Sequence, residues 1–333
     1  MICNNMNGLF ETYTTNIIAL ENSDFDFFKT GELLQDYNNE INTYYEKFYT
    51  NKFKIPFYHC LPTLNRIVND GKFRFIVVDV KGDSVLVVYK IIQILKTKQI
   101  RVFDTPISKS NNDISVNTII EVLKTKPFVR FVFSEFVDVF NKTEAKRLIE
   151  YDNYYYTREM VYENVPKAKL KKRGILDLVE NKNFKIYMSN SVNKNDATKI
   201  RKDFNQYLDE TKKKKSISDD KEFLKLATSN DKRIKCISIY YKGNIVYCSV
   251  FYVLKDLRVA YKLYDMQSRH YNHEDEVLNK TMQKNMTEKM KYIAFKYLQD
   301  VDVVYILGCM PNEHRLIKHK EMKCEGKIKY YII

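Results

Sequence analysis

Residues 234–254 read IKCISIYY-KGN-IVYCSVFYVL, two runs of β-branched and aromatic residues on either side of Lys242-Gly243-Asn244. Such runs form strands, and a Gly-Asn pair between them supplies the positive-φ positions of a tight primed turn, so a β-hairpin is predicted here. Further along, VAYKLY (residues 259–264) predicts a third strand. Leu278, Met282, Met286, Met290, Ile293 and Tyr297 recur at helical spacing, which predicts one long helix over residues 274–298. DVVYIL (302–307) predicts a buried strand, residues 313–322 a short helix, and KIKYYII (327–333) a last strand.

The same order precedes it. FRFIVVDV (73–80), Lys81-Gly82-Asp83 and SVLVVYKI (84–91) predict another hairpin. Strands at 100–104 and 128–133, helices at 115–125 and 142–151, and a returning strand at 154–162 complete the first half. Both halves run strand, turn, strand, strand, helix, strand, helix, strand, without residue-level identity. At 333 residues the chain is about twice a typical domain of roughly 150. The expected fold class is therefore α/β (α+β), with one mixed-sheet domain repeated in tandem; a single larger α/β domain is the other reading. The expected division is an N-terminal domain over 1–165, a basic helical linker over 166–220 and a C-terminal domain with the active site over 221–333, residues 184–220 being assignable to the last as well. Within the linker, ATKIRKDFNQYL (197–208) predicts a helix with Ile200, Phe204, Tyr207 and Leu208 on one face.

Composition removes whole classes of function. Six Cys with no CxxC pair argue against a zinc ribbon, an iron–sulfur cluster or a disulfide scaffold, and suit a reducing cytoplasm. No stretch approaches the roughly 18 uncharged apolar residues of a spanning helix, and MICNNMNGLF at the start lacks the features of a signal peptide, so a cytoplasmic location without membrane insertion is expected. With only 8 Gly there is no GxxxxGK[ST] and no GxGxxG, and HExxH and GxSxG are also absent. The abundance of Lys, Asn, Ile and Tyr fits an AT-rich coding sequence of viral, parasitic or endosymbiotic type.

The order hairpin, strand, long helix, strand, helix, strand resembles the GNAT acyltransferase superfamily, and its duplication resembles the tandem-GNAT transferases of the FemABX type. The resemblance covers residues 184–333 and, more weakly, 70–162. Asn312 follows VVYILGCMP, where GNAT domains often have an Asn before the last helix; Gly308, Lys318 and Lys320 suit the FemABX version, with a Gly after that strand and a Lys-rich helix. His319 stands where many GNAT enzymes place the Tyr that protonates the leaving group. A coenzyme A-binding GNAT has a Gly loop before the long helix, whose N-terminal amides grip a pyrophosphate. Here QSRHYNHEDE (267–276) offers Gln267 or Arg269 but no Gly, and its acidic end favours a helix start while repelling a pyrophosphate. FemABX-like enzymes lack that loop because their donor is an aminoacyl-tRNA. The resemblance thus implies acetyl-coenzyme A or another acyl or aminoacyl donor and no metal. The first half's counterpart loop, 105–115, has no Gly either and predicts an N-cap at Asp113 or Ser115, so the first half is expected to be scaffold.

Acyl transfer needs a base for the acceptor, a donor for the oxyanion and an acid for the leaving group. The strand ends that converge in a GNAT-like fold make Tyr264, Asp265, Asn312 and His319 the catalytic candidates. Gln267, Arg269, His270, Gly308 and Lys318 are the candidates for binding substrate or cofactor. Asp265 ends an apolar strand, where desolvation is expected to raise its pKa into base range.

Lys and Arg total 56 against 42 Asp and Glu, a net charge of +14, and 26 Tyr are interleaved among them. Phosphates reward such cations and unpaired bases stack on such rings, so nucleic acid, DNA or tRNA, is the expected partner; codon bias is the other explanation for the tyrosines. The candidate contacts are Arg158, Lys171, Lys172, Arg173, Arg201, Lys202, Lys213 and Lys214. Three functions remain open: an acyl- or aminoacyl-transferase acting on an amine or hydroxyl with a nucleic-acid-linked substrate, modified DNA or charged tRNA; an inactive GNAT-like binding module; and a small-amine acetyltransferase using acetyl-coenzyme A.

Overall fold

A computed structural model of the chain describes residues 32–33, 73–80, 82–94, 97–103, 105–148, 152–210, 217–268, 275–283, 285–307 and 324–333. In chain order these form β1 (Glu32–Leu33), β2 (Phe73–Val80), β3 (Asp83–Ile94), β4 (Thr97–Phe103), β5 (Ile107–Ser108), α1 (Asp113–Lys124), β6 (Val129–Ser134) and β7 (Lys146–Arg147). There follow β8 (Asn153–Thr157), a π-helical turn (Glu159–Glu163), α2 (Lys167–Lys172), α3 (Ile175–Val179), β9 (Phe184–Ser189), α4 (Lys194–Glu210) and α5 (Ile217–Ala227). The rest is β10 (Ile234–Tyr241), β11 (Asn244–Leu254), β12 (Val259–Gln267), α6 (Glu276–Gln283), α7 (Met286–Tyr297), β13 (Val303–Leu307), β14 (Gly326–Ile328) and β15 (Tyr330–Ile332). Contacts divide the chain into two units; the first ends at Leu148 and takes back Tyr330–Ile333, and the second holds the described residues between.

The first unit is built on a sheet ordered β1-β2-β3-β4-β6-β15-β7, with β5 beside β3. The β2–β3 hairpin turns at Gly82, whose φ of +80° an L side chain rarely adopts. From there β4 and β6 run parallel, Ile100 opposite Val129 and Phe103 opposite Val132, with α1 as the crossover. Ile119, Ile120 and Leu123 of α1 pack on Tyr89, Phe131 and Phe133, all buried.

The second unit repeats the plan in the order β14-β8-β13-β12-β11-β10-β9. The predicted hairpin is β10–β11, turning through Lys242 and Gly243 at φ +46° and +84°. β12 and β13 run parallel with α6 and α7 between them in sequence. Phe251, Met282, Met290, Ile293, Phe295 and Val304 form the core under these helices. Burying each such side chain contributes about 1.5–3 kcal/mol. Among the described residues no helix is long and apolar enough to cross a membrane.

Several elements differ from expectation. The strand read as closing the first half, β8, pairs instead in the second sheet, Tyr156 opposite Val304 and Tyr155 opposite Gly326. Gly326 is required there, because a Cβ would stand 2.5 Å from the Tyr155 hydroxyl. The last predicted strand is really two, β14 in the second sheet and β15 in the first. Where a helix was expected over 142–151, Lys146 and Arg147 pair with Ile332 and Tyr331, and the Arg147 guanidinium donates to the carbonyls of Leu148 and Tyr330. Residues 166–220, expected as a basic helical linker with 184–220 assignable to the C-terminal domain, hold three complete helices, the start of α5 and β9, which pairs with β10 at the edge of the second sheet.

The long helix over 274–298 is broken at Asn285, which sits at φ +55°, a conformation Asn tolerates better than most residues. Buried side chains satisfy the carbonyls freed at the end of α6. Gln267 Nε2 donates to the Met282 carbonyl at 2.8 Å, and the ammonium of Lys289, only 2% exposed, to that of Thr281.

The far end of α7 is held by Arg158. Its guanidinium donates to the carbonyls of Val301 (2.9 Å), Leu298 (2.7 Å) and Gln299 (3.0 Å) and lies between the rings of Tyr162 and Phe295. Arg158, expected as a nucleic-acid contact, thus clamps the C-terminal end of α7. Arg158→Ala is expected to lower stability by about 3 kcal/mol, the net worth of one to two hydrogen bonds from a charged donor. Urea unfolding checks it, and Arg158→Lys should recover only part, lacking the planar fork.

Candidate active site

One irregularity in β12 arranges the site. β11 and β12 pair from Leu254 opposite Val259 to Phe251 opposite Lys262, then resume at Val250 opposite Tyr264, so Leu263 is the extra residue of a β-bulge. Strict alternation would put Ala260, Lys262, Tyr264 and Met266 on one face. The bulge exchanges the last two for Asp265 and Gln267, which stand opposite Ser249 and Tyr247 on the face covered by α6 and α7. On its other edge β12 pairs with β13 only from Val259 opposite Val303 to Lys262 opposite Ile306. Beyond Lys262, residues 263–267 have β11 alone as a strand partner among the described residues. Among the described residues the pairing of the two parallel strands thus ends at Lys262, and the outer edge of 263–267 has no strand partner there.

Asp265 lies on this stretch with its side chain 36% exposed. Its carboxylate accepts from the Tyr247 hydroxyl at 2.5 Å, from the Ser249 hydroxyl at 2.6 Å and from the Lys262 ammonium. Burial pushes its pKa up, but the Lys262 charge and hydrogen bond, with the two hydroxyls, outweigh that and hold it below the ordinary carboxylate range. The expected elevation is corrected: the partners come from β11 and from three residues upstream, and the group is a persistent anion. Tyr247 is driven the opposite way, first by burial and then by the neighbouring Asp265 charge, so it keeps its proton and donates.

Deeper on the same face the charges continue. Lys291 is 2% exposed, with its ammonium 5.0 Å from the centre of the Tyr156 ring and 3.4 Å from the Glu288 carboxylate. Glu288 also meets the Arg173 guanidinium at 3.3 Å. Burial lowers the Lys291 pKa against the opposing pull of Glu288.

The N-terminus of α6, where a pyrophosphate would sit in a coenzyme A-binding relative, is capped from within. Asp275 accepts from the Leu278 amide (3.1 Å), the Tyr241 hydroxyl (2.9 Å) and the Lys242 ammonium (3.0 Å). The amide first, then Lys242, hold its pKa down against burial. The counterpart in the first unit is similarly closed. Ser108 donates to the buried Asp83 at 2.7 Å and accepts from the Asn112 amide at 2.8 Å, while the Ser110 amide reaches Asp83 at 3.2 Å. The N-cap of α1 is Asn112, accepting from the Ile114 amide, rather than Asp113 or Ser115.

The other candidates separate. Tyr264 falls on the opposite face of the sheet from Asp265, its hydroxyl donating to Glu222 at 2.6 Å and its ring meeting Phe223 edge-on. Gln267 is the buried cap of α6. Arg269, His270, Gly308, Asn312, Lys318 and His319 lie outside the described residues, as do Lys213 and Lys214. Lys171, Lys172 and Lys202 are exposed on α2 and α4, Arg201 is half-buried, and Arg173 is engaged by Glu288. Lys262, Ser249 and Tyr247 were not among the expected site residues; their available signal was a Lys and a Ser inside otherwise apolar strands.

No protein-family model matches the chain, and no curated protein matches it in sequence. Solved structures match it in fold. A conserved protein of unknown function from Bacteroides thetaiotaomicron superposes with a TM-score of 0.59 at 9% identity, covering 91% of this chain and 97% of that one. L-PGS from Bacillus licheniformis gives 0.58 at 11% identity over 91% and 93%. FemX gives 0.53 at 10% identity over 88% and 96%. The fold is therefore GNAT-like, α+β, with two mixed-sheet units in the FemABX-like tandem arrangement.

The Asp265 arrangement has a sign that titration reads. The unfolded carboxyl takes its proton near pH ~3.9 and the folded one lower. Asp265 therefore contributes stability that is present above about pH 4 and is lost as the pH falls through the folded pKa. Carboxyl-detected NMR should find Asp265 titrating below ~3.9, and Ser249→Ala should move it upward.

Proposed function

We propose that the protein is an acyl or aminoacyl transferase that delivers its acyl group to an amine or hydroxyl at the opening between β12 and β13. The observation that carries this reading is the bulged, half-unpaired β12 with an ionised Asp265 held beside it by Lys262, Ser249 and Tyr247. The unpaired edge offers backbone hydrogen bonds to an extended acyl donor. Lys262 supplies a cation for the oxyanion of the tetrahedral intermediate. Asp265, held ionised, suits gripping an ammonium group, such as the α-ammonium of an aminoacyl ester, better than removing a proton.

The donor favoured is nucleic-acid-linked, a charged tRNA. Two features support it over acetyl-coenzyme A: the absence of Gly before α6 and the Asp275 carboxylate already accepting from the Leu278 amide in its first turn. The tandem likeness to FemX supports the same choice, since the FemABX type draws on aminoacyl-tRNA. The first unit is assigned a scaffold role, because its counterpart loop is closed on Asp83.

Incubation with radiolabelled aminoacyl-tRNA pools and, separately, with acetyl-coenzyme A distinguishes the alternatives. Protein-dependent loss of the aminoacyl ester, steepening at low salt, is expected. Asp265→Asn should lower kcat/KM by about 10–100-fold through loss of a charge-assisted contact, with circular dichroism unchanged. Turnover of acetyl-coenzyme A alone would establish a small-amine acetyltransferase instead, and inertness towards both donors a binding module.

A further inference from the structure

A cavity of about 610 Å3 opens in the second unit among α2, α3 and α6, and none of the residues around Asp265 lines it. This volume lies within the range of small-ligand sites, roughly 300–1,000 Å3. Its walls carry both signs of charge: Lys167 and Lys171 from α2, Lys280 from α6, and Asp177 and Glu180 from α3 and the residue that ends it. Among the described residues none of the three lysines forms an ion pair, and Glu180 has no ion-pair or hydrogen-bond partner through its side chain. Opposite charges thus share one cavity without neutralising each other.

Asp177 has the Lys289 charge behind it, although the two form no ion pair among the described residues. A Cβ on Gly174 would stand 3.2 Å from Lys289 Nζ and 3.4 Å from Asp177 Oδ2, so the buried ammonium and this carboxylate converge on the same glycine. That leaves three ammonium groups and the Glu180 carboxylate facing the space, with Leu176 and the 45%-exposed Val277 as apolar wall. A plain anion would leave Glu180 repelling it; a neutral zwitterion would leave cations unmatched. We propose that this cavity binds a small acidic amino acid or short acidic peptide, its carboxylates held by Lys167, Lys171 and Lys280 and its ammonium by Glu180. The site is independent of the acyl-transfer reading.

Calorimetry on the full chain with L-alanyl-L-glutamate tests it. Saturable binding is expected, weakened about tenfold by N-acetylation of the dipeptide, the loss of one charge-assisted contact. Lys280→Gln should weaken both ligands. Glu180→Gln should weaken the free dipeptide and leave the acetylated one unchanged or tighter. Both substituted residues are exposed, so folding is not at stake. Absence of alanyl-glutamate binding, equal or tighter binding of the acetylated form to the unaltered protein, or displacement of the dipeptide by inorganic phosphate with phosphate affinity rising in Glu180→Gln would each overturn the proposal.

Discussion

A strand inside a sheet must satisfy hydrogen bonds along both edges. β12 meets that requirement with β11 along nearly its whole length, broken by one bulged residue, but with β13 only as far as Lys262. Each of these two departures has its own consequence. The bulge rotates Asp265 and Gln267 onto the face of α6 and α7, so that one organises Tyr247, Ser249 and Lys262 while the other ends α6. The end of β12–β13 pairing at Lys262 then falls, among the described residues, just before Asp265, whose side chain is 36% exposed.

How much of this the sequence reveals depends on range. Hairpins at Gly82 and Gly243 and the strand Val303–Leu307 are legible because apolar runs and turn residues are local signals. The tandem repeat follows from their order. The bulge leaves no trace in VAYKLYDMQ, since one extra residue changes neither composition nor length appreciably. The break at Asn285 is concealed because Met282, Met286 and Met290 remain in one core on either side of it. Arg158 looks like surface charge in a run of tyrosines, and only the fold brings the carbonyls of Leu298, Gln299 and Val301 to it. For Asp265 the sign of the pKa shift was not legible, because burial and its opponents arise from different elements.

Buried charge is the protein's main extravagance. Lys289 and Lys291, each 2% exposed, stand two residues apart on α7, and desolvation of such groups works against folding. Each is placed where a partner recovers part of that cost: Lys289 on the Thr281 carbonyl and near Asp177, Lys291 on Glu288 and the face of Tyr156. Their joint effect is to fix α7 in rotation about its axis, since turning it would strand two cations in apolar surroundings. The helix that covers Asp265 is therefore held in register by electrostatics as well as by packing.

The exchange of terminal strands bears on biosynthesis. β6 finds its antiparallel neighbour in β15, and Phe131 exchanges both backbone hydrogen bonds with Ile333. A ribosome would have released β1–β7 long before supplying those residues, so β6 waits as an open edge while about 195 further residues are made. The second sheet, by contrast, has β8 in hand before any of its other strands exists. Completion of the two sheets is thus interlocked in time: the earlier-made one closes last.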